Sequence, residues 1–422
     1  MSKLTKYKFS DLYEMSSGIS SSKQQAGHGS PFISFSTVFN NYFLPEELPD
    51  LMDTSLKEQE IFSVKKDDVF ITRTSETVDA LAMSCVAVKD YPKATFSGFV
   101  KRLRPKTTGI VYSKYIAFFL RSKYFRKVLD CNTIMTLRAS FNEDMFSFLY
   151  LYLPDYEEQV RIGDLLYKME MKIRTNNKIN DNLEQQILSI YHYLFTQFDF
   201  PDEVGNPYCS SGGKMMQNDI LKRNIPITWK VKTLGELCSF QNGINYDKGI
   251  IGDKDYRIIN VRNISSSSIL LDENELDIIS LPHKKGDKYC VTDDSIIIAR
   301  SGIPGATRIL FKPTTNTIFC GFIICCTPTD KELQYYLTFY LKLLEGSSAT
   351  QTGGSILQNV SQDTLSSLPV PIPPKMLLDE FNQTVLQTFE LIHTNMNETS
   401  QLINLRDWLL PMLMNGQATI ND

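Results

Sequence analysis

The segment DDVFITR at residues 67–73 returns as DDSIIIAR at residues 293–300, and this repetition organises the whole chain. In the same order, FSGFV at residues 96–100 returns as FCGFI at residues 319–323. The spacing of roughly 220 residues is far longer than the ~20–50 residues of a solenoid repeat. The sequence therefore predicts one duplicated domain rather than a stack of short repeats.

Local patterns within each repeat predict a mixture of strands and helices. β-Branched and aromatic runs bounded by Asp, Gly or Pro predict strands at Val69–Thr72, Ser295–Ala299 and Phe319–Cys326. Helical periodicity of apolar residues predicts helices at Ser113–Val128 and Lys331–Leu344. Each repeat is therefore predicted to be a mixed α/β globular domain.

A long helix is predicted after each repeat, because apolar residues follow the alternating four- and three-residue spacing of a coiled-coil seam. The residues of the two seams are Ile162, Leu166, Met169, Ile173, Asn176, Leu183 and Ile187, then Phe381, Val385, Ile392, Asn395, Leu402 and Leu409. Asn176 and Asn395 hold equivalent positions, and a polar seam residue costs stability but fixes register. If the helices pair antiparallel, these two Asn layers could face each other. The alternative is two amphipathic helices, each packed on its own domain.

Composition excludes several classes of protein. Of 422 residues, 42% are hydrophobic and 22% are charged, which excludes wholesale disorder. No apolar run approaches the ~18–20 residues that span a bilayer. The N-terminus lacks the apolar segment of an export signal, and the eight cysteines include no C-x-x-C pair. We therefore expect a cytoplasmic protein with reduced thiols.

A search for catalytic chemistry gives no candidate. The sequence contains no G-x-x-x-x-G-K-[ST] phosphate-binding loop. The four histidines, at positions 28, 192, 283 and 393, are widely separated, so neither a Ser-His-Asp site nor a metal centre is indicated. We expect no catalytic residue, no metal and no cofactor on this chain.

Binding is the remaining function. The net charge is −4, yet residues 1–154 carry 20 basic against 16 acidic groups. Arg and Lys in loops suit phosphate contacts, and Arg also suits bidentate readout of guanine. The candidate DNA-binding side chains are Arg73, Lys101, Arg102, Arg104, Arg257, Arg262, Lys284, Lys285, Arg300 and Arg308. For any single one of them, the alternative is an ordinary solvated surface charge.

Four further segments, taken together with the repeat, are typical of one known protein family. They are LPDYEEQ at 153–159, IPITWKVKTLGEL at 225–237, LPVPIPP at 368–374 and LLPMLMNG at 409–416. In this order, and together with the two-fold repeat, they make the sequence resemble the DNA-specificity subunit of a Type I restriction-modification system. The resemblance covers essentially the whole chain.

The resemblance implies an α+β fold: two duplicated mixed α/β target-recognition domains separated by two long helices that pair as an antiparallel coiled coil. The first domain would be residues 1–154, followed by a spacer helix at 155–200. A linker and the second domain would occupy 201–373, and the second spacer helix 374–422. Each domain would read one half of a split, asymmetric DNA sequence, and the helices would set the gap between the halves.

The resemblance also implies partners and a site. Members of the family bind double-stranded DNA, two methyltransferase subunits that use S-adenosylmethionine, and motor-nuclease subunits that use ATP and magnesium. The specificity subunit itself is not an enzyme, and no membrane is involved. The family's glycine-containing loop after the first strand maps to Gly18 and Ser20 in the first domain and to Gly243 and Asn245 in the second, which places these residues near DNA.

Two alternatives stay open. The chain could be a recognition module for a separate Type II-like methyltransferase, or a scaffold whose duplicated domains bind proteins around a coiled coil. Salt dependence separates the scaffold from the DNA-binding readings, because contacts to several phosphates weaken steeply with salt and an apolar protein interface does not.

Overall fold

The computed structural model describes residues 4–20, 22–75, 81–132, 139–246, 252–265, 268–345 and 360–420. It divides into two compact units. Unit 1 comprises Met1–Arg174 and Gln401–Asp422, and unit 2 comprises Thr175–Ser400. Each unit therefore combines one repeat with part of both long helices.

The first repeat contains short strands and helices, and the first long helix follows it. Its strands are β1 (Thr5–Lys8), β2 (Tyr13–Ser17), β3 (Ala26–Ile33), β4 (Asp50–Met52), β5 (Val69–Thr72), β6 (Thr74–Ser75), β7 (Ser84–Val86), β8 (Thr95–Phe96), β9 (Val100–Pro105), β10 (Ala139–Ser140) and β11 (Tyr150–Leu153). The helices are α1 (Phe9–Leu12), α2 (Phe35–Asn40), α3 (Leu56–Ile61), α4 (Ser113–Phe119), α5 (Lys123–Asn132), α6 (Glu143–Phe148) and the long α7 (Tyr156–Tyr191). A π-helical turn at His192–Thr196 continues α7.

Apart from β6, β10 and α5, the described elements of the second repeat follow the same order. The linker contains β12 (Met215–Asn218) and β13 (Arg223–Pro226). The strands of the second repeat are β14 (Lys230–Thr233), β15 (Cys238–Asn242), β16 (Lys254–Ile259), β17 (Asp277–Leu281), β18 (Ile296–Ala299), β19 (Thr307–Ile309), β20 (Thr317–Phe319), β21 (Ile323–Pro328) and β22 (Pro369–Ile372). The helices are α8 (Leu234–Leu237), α9 (Val261–Ile264), α10 (His283–Gly286), α11 (Gln334–Leu343), α12 (Gln362–Ser366) and the long α13 (Lys375–Met414).

The two larger sheets of each repeat have the same topology. Unit 1 has a four-stranded sheet of order β2-β9-β5-β7 and a three-stranded sheet of order β4-β3-β8, and unit 2 has β15-β21-β18-β19 and β17-β16-β20. In both three-stranded sheets one pair is parallel, β3 with β8 and β16 with β20. This match confirms the predicted duplication of a mixed α/β domain.

The first and last strands of each repeat pair antiparallel. β1 pairs with β11, and β14 pairs with β22. Because the last strand leads within a few residues into a long helix, this pairing brings the start of each repeat next to the start of the helix that follows it.

Three sequence predictions need adjustment in detail. The predicted strand Phe319–Cys326 is two strands, β20 and β21, because a turn containing Gly321 interrupts it. The predicted helix Ser113–Val128 is also two, because Ser122 breaks it: its hydroxyl donates to the Phe119 carbonyl at 2.6 Å and accepts from the Phe125 amide at 3.3 Å. Residues 331–333 form a 3₁₀ turn before α11 begins.

In unit 1, α7 contacts both its own repeat and the end of α13. Tyr167 packs edge-on against Phe43 at 4.8 Å between ring centres. Arg406 forms a 3.0 Å ion pair with Glu170, and the Glu158 carboxylate accepts from the backbone amide of Ile420 at 3.2 Å. As the residue number rises along α7, from Glu158 to Glu170, the number of the contacted residue falls, from Ile420 to Arg406. This is an antiparallel arrangement.

In unit 2, the remaining parts of α7 and α13 contact each other in the same sense. The Asn395 amide donates to Asn180 Oδ1 at 2.8 Å, and the Asn176 amide donates to Glu398 Oε2 at 2.8 Å. Farther along α7, Tyr191 packs against Phe381 with ring centres 5.8 Å apart. Within this unit, each helix segment therefore packs on its repeat and also contacts the other helix, so the two predicted alternatives are not exclusive.

The hypothesis that the central Asn layers face each other holds for the layers, although the side-chain pair joins Asn395 to Asn180 rather than to Asn176. The Asn176 amide reaches only the Asn395 backbone carbonyl, at 3.5 Å, while the Asn395 side chain pairs with Asn180. Equivalent positions in a repeat need not face each other in an antiparallel pair, because the contacting residues are set by the axial offset of the two helices. Among the helices of the described ranges, none is long and apolar enough to cross a membrane.

Candidate nucleic-acid interface

A tight loop follows the first strand of the four-stranded sheet in unit 1. After β2 ends, the Ile19 amide donates to the Phe96 carbonyl at 2.8 Å, and the Gly98 amide donates back to the Ile19 carbonyl at 2.7 Å. A Cβ on Gly18 would lie 2.3 Å from the carbonyl oxygens of Phe96 and Ser97. Only glycine permits this close approach. We call residues 18–20 and their counterparts 243–245 the Gly–Ile loops.

The counterpart in unit 2 has the same hydrogen bonds. The Ile244 amide donates to the Phe319 carbonyl at 2.9 Å, and the Gly321 amide donates to the Ile244 carbonyl at 2.8 Å. A Cβ on Gly243 would lie 2.1 Å from the Cys320 carbonyl oxygen. The residues that the resemblance placed near DNA therefore occupy equivalent positions in both units.

Each Gly–Ile loop is joined to a turn between two strands, at residues 96–99 in unit 1 and 319–322 in unit 2, which we call the Phe turns. The Phe99 carbonyl accepts from the Arg73 backbone amide at 2.9 Å, and the Phe322 carbonyl accepts from that of Arg300, also at 2.9 Å. The arginine side chains reach the same turns: Arg73 Nη1 lies 3.4 Å from the Gly98 carbonyl oxygen. Arg300 Nη1 lies 3.2 Å from that of Gly321.

The structure thus brings together six predicted residues in two matching groups: Gly18, Ser20 and Arg73, and Gly243, Asn245 and Arg300. Ser20, Asn245 and Arg73 are exposed, and Arg300 is half-buried. Hydroxyl, amide and guanidinium groups on a rigid backbone can donate hydrogen bonds to phosphates and to base edges.

Two residues of this group were missed by the sequence reading. Phe99 and Phe322 sit at equivalent places in the Phe turns and are 65% and 63% exposed. Both lie in the repeated F-x-G-F segment, where the first Phe is buried, as Phe96 and Phe319 are. The signal available in the sequence was a second aromatic directly after a turn glycine, which a buried strand would not require.

Lys101 and Arg102 are not surface donors, which corrects the prediction. Their residues are 8% and 9% exposed on β9, whose neighbours in the sheet are β2 and β5. Lys101 Nζ donates to Ser17 Oγ at 2.8 Å, and burial lowers the pKa of Lys101. Arg102 Nη1 donates to the Ser63 carbonyl at 2.6 Å. Lys101 Nζ and Arg102 Nη1 therefore bind the protein itself.

Arg104 and Arg308 both bind carboxylates of their own domain, but only Arg308 is buried. The Arg104 guanidinium binds Asp68 through two contacts of 2.7 and 2.6 Å, and the Asp68 carboxylate is fully buried. This hydrogen-bonded carboxylate raises the pKa of Arg104. Arg308 is 2% exposed and pairs with Glu345 at 2.5 Å. The prediction that Arg308 faces DNA is wrong, because its side chain is buried against Glu345. The predicted DNA contact of Arg104 stays a prediction, because its side chain is partly exposed beside Asp68.

The other basic candidates lie outside the Phe turns. Arg257 is half-buried on β16, and Arg262, on α9, is exposed and ion-paired with Asp277. Lys284 and Lys285 are exposed on α10. Within the described part of unit 2, none of these four side chains forms a hydrogen bond or an ion pair with the Gly–Ile loop. Their predicted DNA contacts stay predictions.

The predicted seam residues lie on the covered faces of the long helices. Ile162, Leu166, Ile173, Asn176 and Ile187 are buried on α7; Phe381, Val385, Ile392 and Asn395 are buried on α13. Met169, Leu183, Leu402 and Leu409 are half-buried. Whether these helices also dock partner subunits stays a prediction. Among the described residues, no group of three or more His, Cys, Asp or Glu side chains is placed to hold a metal ion.

Comparisons with known proteins agree with the duplicated fold. The chain is 24% identical over 345 residues to the Type I restriction enzyme MjaIX specificity subunit of Methanocaldococcus jannaschii, covering 80% of this chain and 76% of the relative. It is 22% identical to the Type I restriction enzyme HindI specificity subunit of Haemophilus influenzae, covering 92% and 94%.

A solved structure shares the fold. The Type I restriction-modification S subunit from M. genitalium superposes with a TM-score of 0.60 at 14% identity, covering 98% of this chain and 96% of that one. The model of the Type I restriction modification DNA specificity domain matches this sequence twice, at residues 1–185 and 226–404. The chain therefore belongs to the family of Type I restriction modification DNA specificity domains.

Proposed function

We propose that this chain is the specificity subunit of a Type I restriction-modification complex and reads a split, asymmetric DNA sequence, one half with each unit. The observation that carries the proposal is the duplicated arrangement of Gly–Ile loop, Phe turn and arginine, held by the same backbone hydrogen bonds in both units. Two equivalent sites with different exposed side chains, Ser20 and Asn245, suit two half-sites of different sequence.

The long helices would set the gap between the two half-sites and dock the partners. Their buried contacts support this, because the Asn180–Asn395 pair and the Glu170–Arg406 ion pair restrict how one helix can slide along the other. The partners in this proposal are two methyltransferase subunits, which bind S-adenosylmethionine and methylate adenine, and motor-nuclease subunits, which use ATP and Mg²⁺. The chain itself would bind DNA and partners without catalysis, in the cytoplasm.

DNA binding by the complex of this chain with its methyltransferase subunit tests the proposal. The affinity should fall linearly on a log–log plot against salt concentration, with a slope of about 0.9 per phosphate contacted. A mixed-sequence duplex measured alongside gives the non-specific affinity. If the assembled complex does not bind DNA even at low salt, the proposal is overturned in favour of a protein-binding scaffold.

A further inference from the structure

Phe99 and Phe322 are exposed aromatic rings at equivalent positions of two domains. Large apolar side chains scattered singly over a surface need no explanation, but these two recur at the same place in both repeats. Each follows the glycine of a Phe turn and leaves about two thirds of its surface open, 65% and 63%. The recurrence indicates a shared role at the site that also carries Arg73 and Arg300.

The backbone under each ring is fixed on both sides. The Val100 amide donates to the Ser97 carbonyl at 2.9 Å, and the Ile323 amide donates to the Cys320 carbonyl at 3.0 Å. The carbonyl of each exposed Phe is already bound to an arginine amide. The ring is therefore presented by an ordered turn, and binding through it would cost little ordering of the backbone.

The charge beside each ring identifies the occupant. The guanidinium of Arg73 or Arg300 binds the carbonyl one residue before the ring, so a cationic group is held at the residue next to each exposed Phe. A cation of this kind suits a phosphate, and an apolar ring suits a base, either through a thymine methyl or by inserting at a base step. In a family of DNA specificity domains, the ligand that offers both a phosphate and a base is DNA.

We propose that Phe99 and Phe322 each make an apolar contact with bases of the half-site that their own unit reads, while the adjacent arginine binds the backbone of the same DNA. This inference rests on the proposed function. It assigns a part of recognition that is common to both half-sites, and leaves Ser20 and Asn245 as the groups in which the two sites differ.

The test uses the complex with the methyltransferase subunit and duplexes that carry the complete motif or have one half scrambled. Phe99→Ala should weaken binding to the complete motif about tenfold, in line with apolar and stacking contacts to bases. On DNA whose corresponding half is already scrambled, the same substitution should have little further effect. Phe322→Ala should behave in the same way for the other half.

Two matched controls remove exposed apolar side chains away from the Phe turns: Phe148→Ala in unit 1 and Ile220→Ala in unit 2, which are 76% and 67% exposed. Both should bind like the unchanged protein. Full affinity of Phe99→Ala and Phe322→Ala for the complete motif would overturn the inference, as would an equal loss on motif and scrambled DNA. A wild-type complex without any split motif would instead overturn the proposed function, and the inference with it.

Discussion

Arg73 follows β5, and Arg104 lies on the neighbouring strand β9 of the same sheet. Their side chains have different surroundings. Arg73 is exposed, and its guanidinium reaches a backbone carbonyl of the Phe turn. Arg104 gives its guanidinium to Asp68, which has no exposed side-chain surface. Because an uncompensated buried carboxylate is costly, we expect Arg104 to act on stability, and the proposed function assigns Arg73 to DNA binding.

This distinction gives a test of the corrected assignments. Arg104→Met should lower the free energy of unfolding by about 2–3 kcal/mol, since it leaves Asp68 buried without its partner. Arg73→Ala should change it by less than about 0.5 kcal/mol and should instead weaken DNA binding, with a salt slope smaller by about one. Urea unfolding and a salt titration measure the two effects. Equal stability losses for both variants would contradict the assignment.

At the scale of single elements, the Gly–Ile loops depend on an approach that no side chain allows. Gly18→Ala and Gly243→Ala would place a Cβ 2.3 and 2.1 Å from backbone oxygens, so the loop must move away from its Phe turn. Each substitution should make one half of the recognised motif degenerate and leave the other half unchanged, and each thereby serves as the other's control. Methylation mapping of the two variants measures this; an unchanged motif in both would contradict it.

The contact between the long helices contains a polar pair whose energetics can be isolated. Asn395→Leu should destabilise unit 2 by about 1–3 kcal/mol, because Asn180 loses the partner of its buried carbonyl oxygen. The double variant Asn180→Leu with Asn395→Leu should recover most of that loss, since removing both partners of a hydrogen bond is nearly neutral. Urea unfolding of the single and double variants is the measurement. A double variant less stable than both single ones would show that the pair does not act as described.

For the whole molecule, the helices should behave as a ruler. Residues 177–183 and 392–398 lie at facing positions, as the Asn180–Asn395 contact shows, and deleting both stretches removes one heptad from each helix. At ~1.5 Å per residue this shortens the pair by about 10 Å, which corresponds to about three base pairs at ~3.4 Å each. The gap in the recognised sequence should shrink accordingly.

A duplicated heptad at the same place provides the second variant, and it should widen the gap by a similar amount. Methylation mapping again reads out the result, with the half-site sequences themselves as internal controls. A gap that stays constant in both variants, with both half-sites still recognised, would rule out the ruler.

The sequence predicts the architecture well, because the architecture follows from the order of the repeated segments and from the periodicity of apolar residues. Apolar patterns predict the repeat, the strand at Val69–Thr72 and the seam from Ile162 to Ile187, and the same apolar residues are those that pack in the structure. The buried Arg102 and Arg308 could not be predicted, because a sequence shows a charge but not the face on which it lies. The position of Phe99 directly after a turn glycine is the one sequence signal that separates it from Phe96, and its exposure is seen only in the structure.

The measurement that tests the central claim most directly is to co-express this chain with its neighbouring methyltransferase gene in a host that lacks adenine methylation. N6-methyladenine is then mapped across the genome. The account predicts a single motif made of two short blocks of different sequence at a fixed gap. An undivided motif, or no methylation from a stable complex of the two proteins, would contradict it.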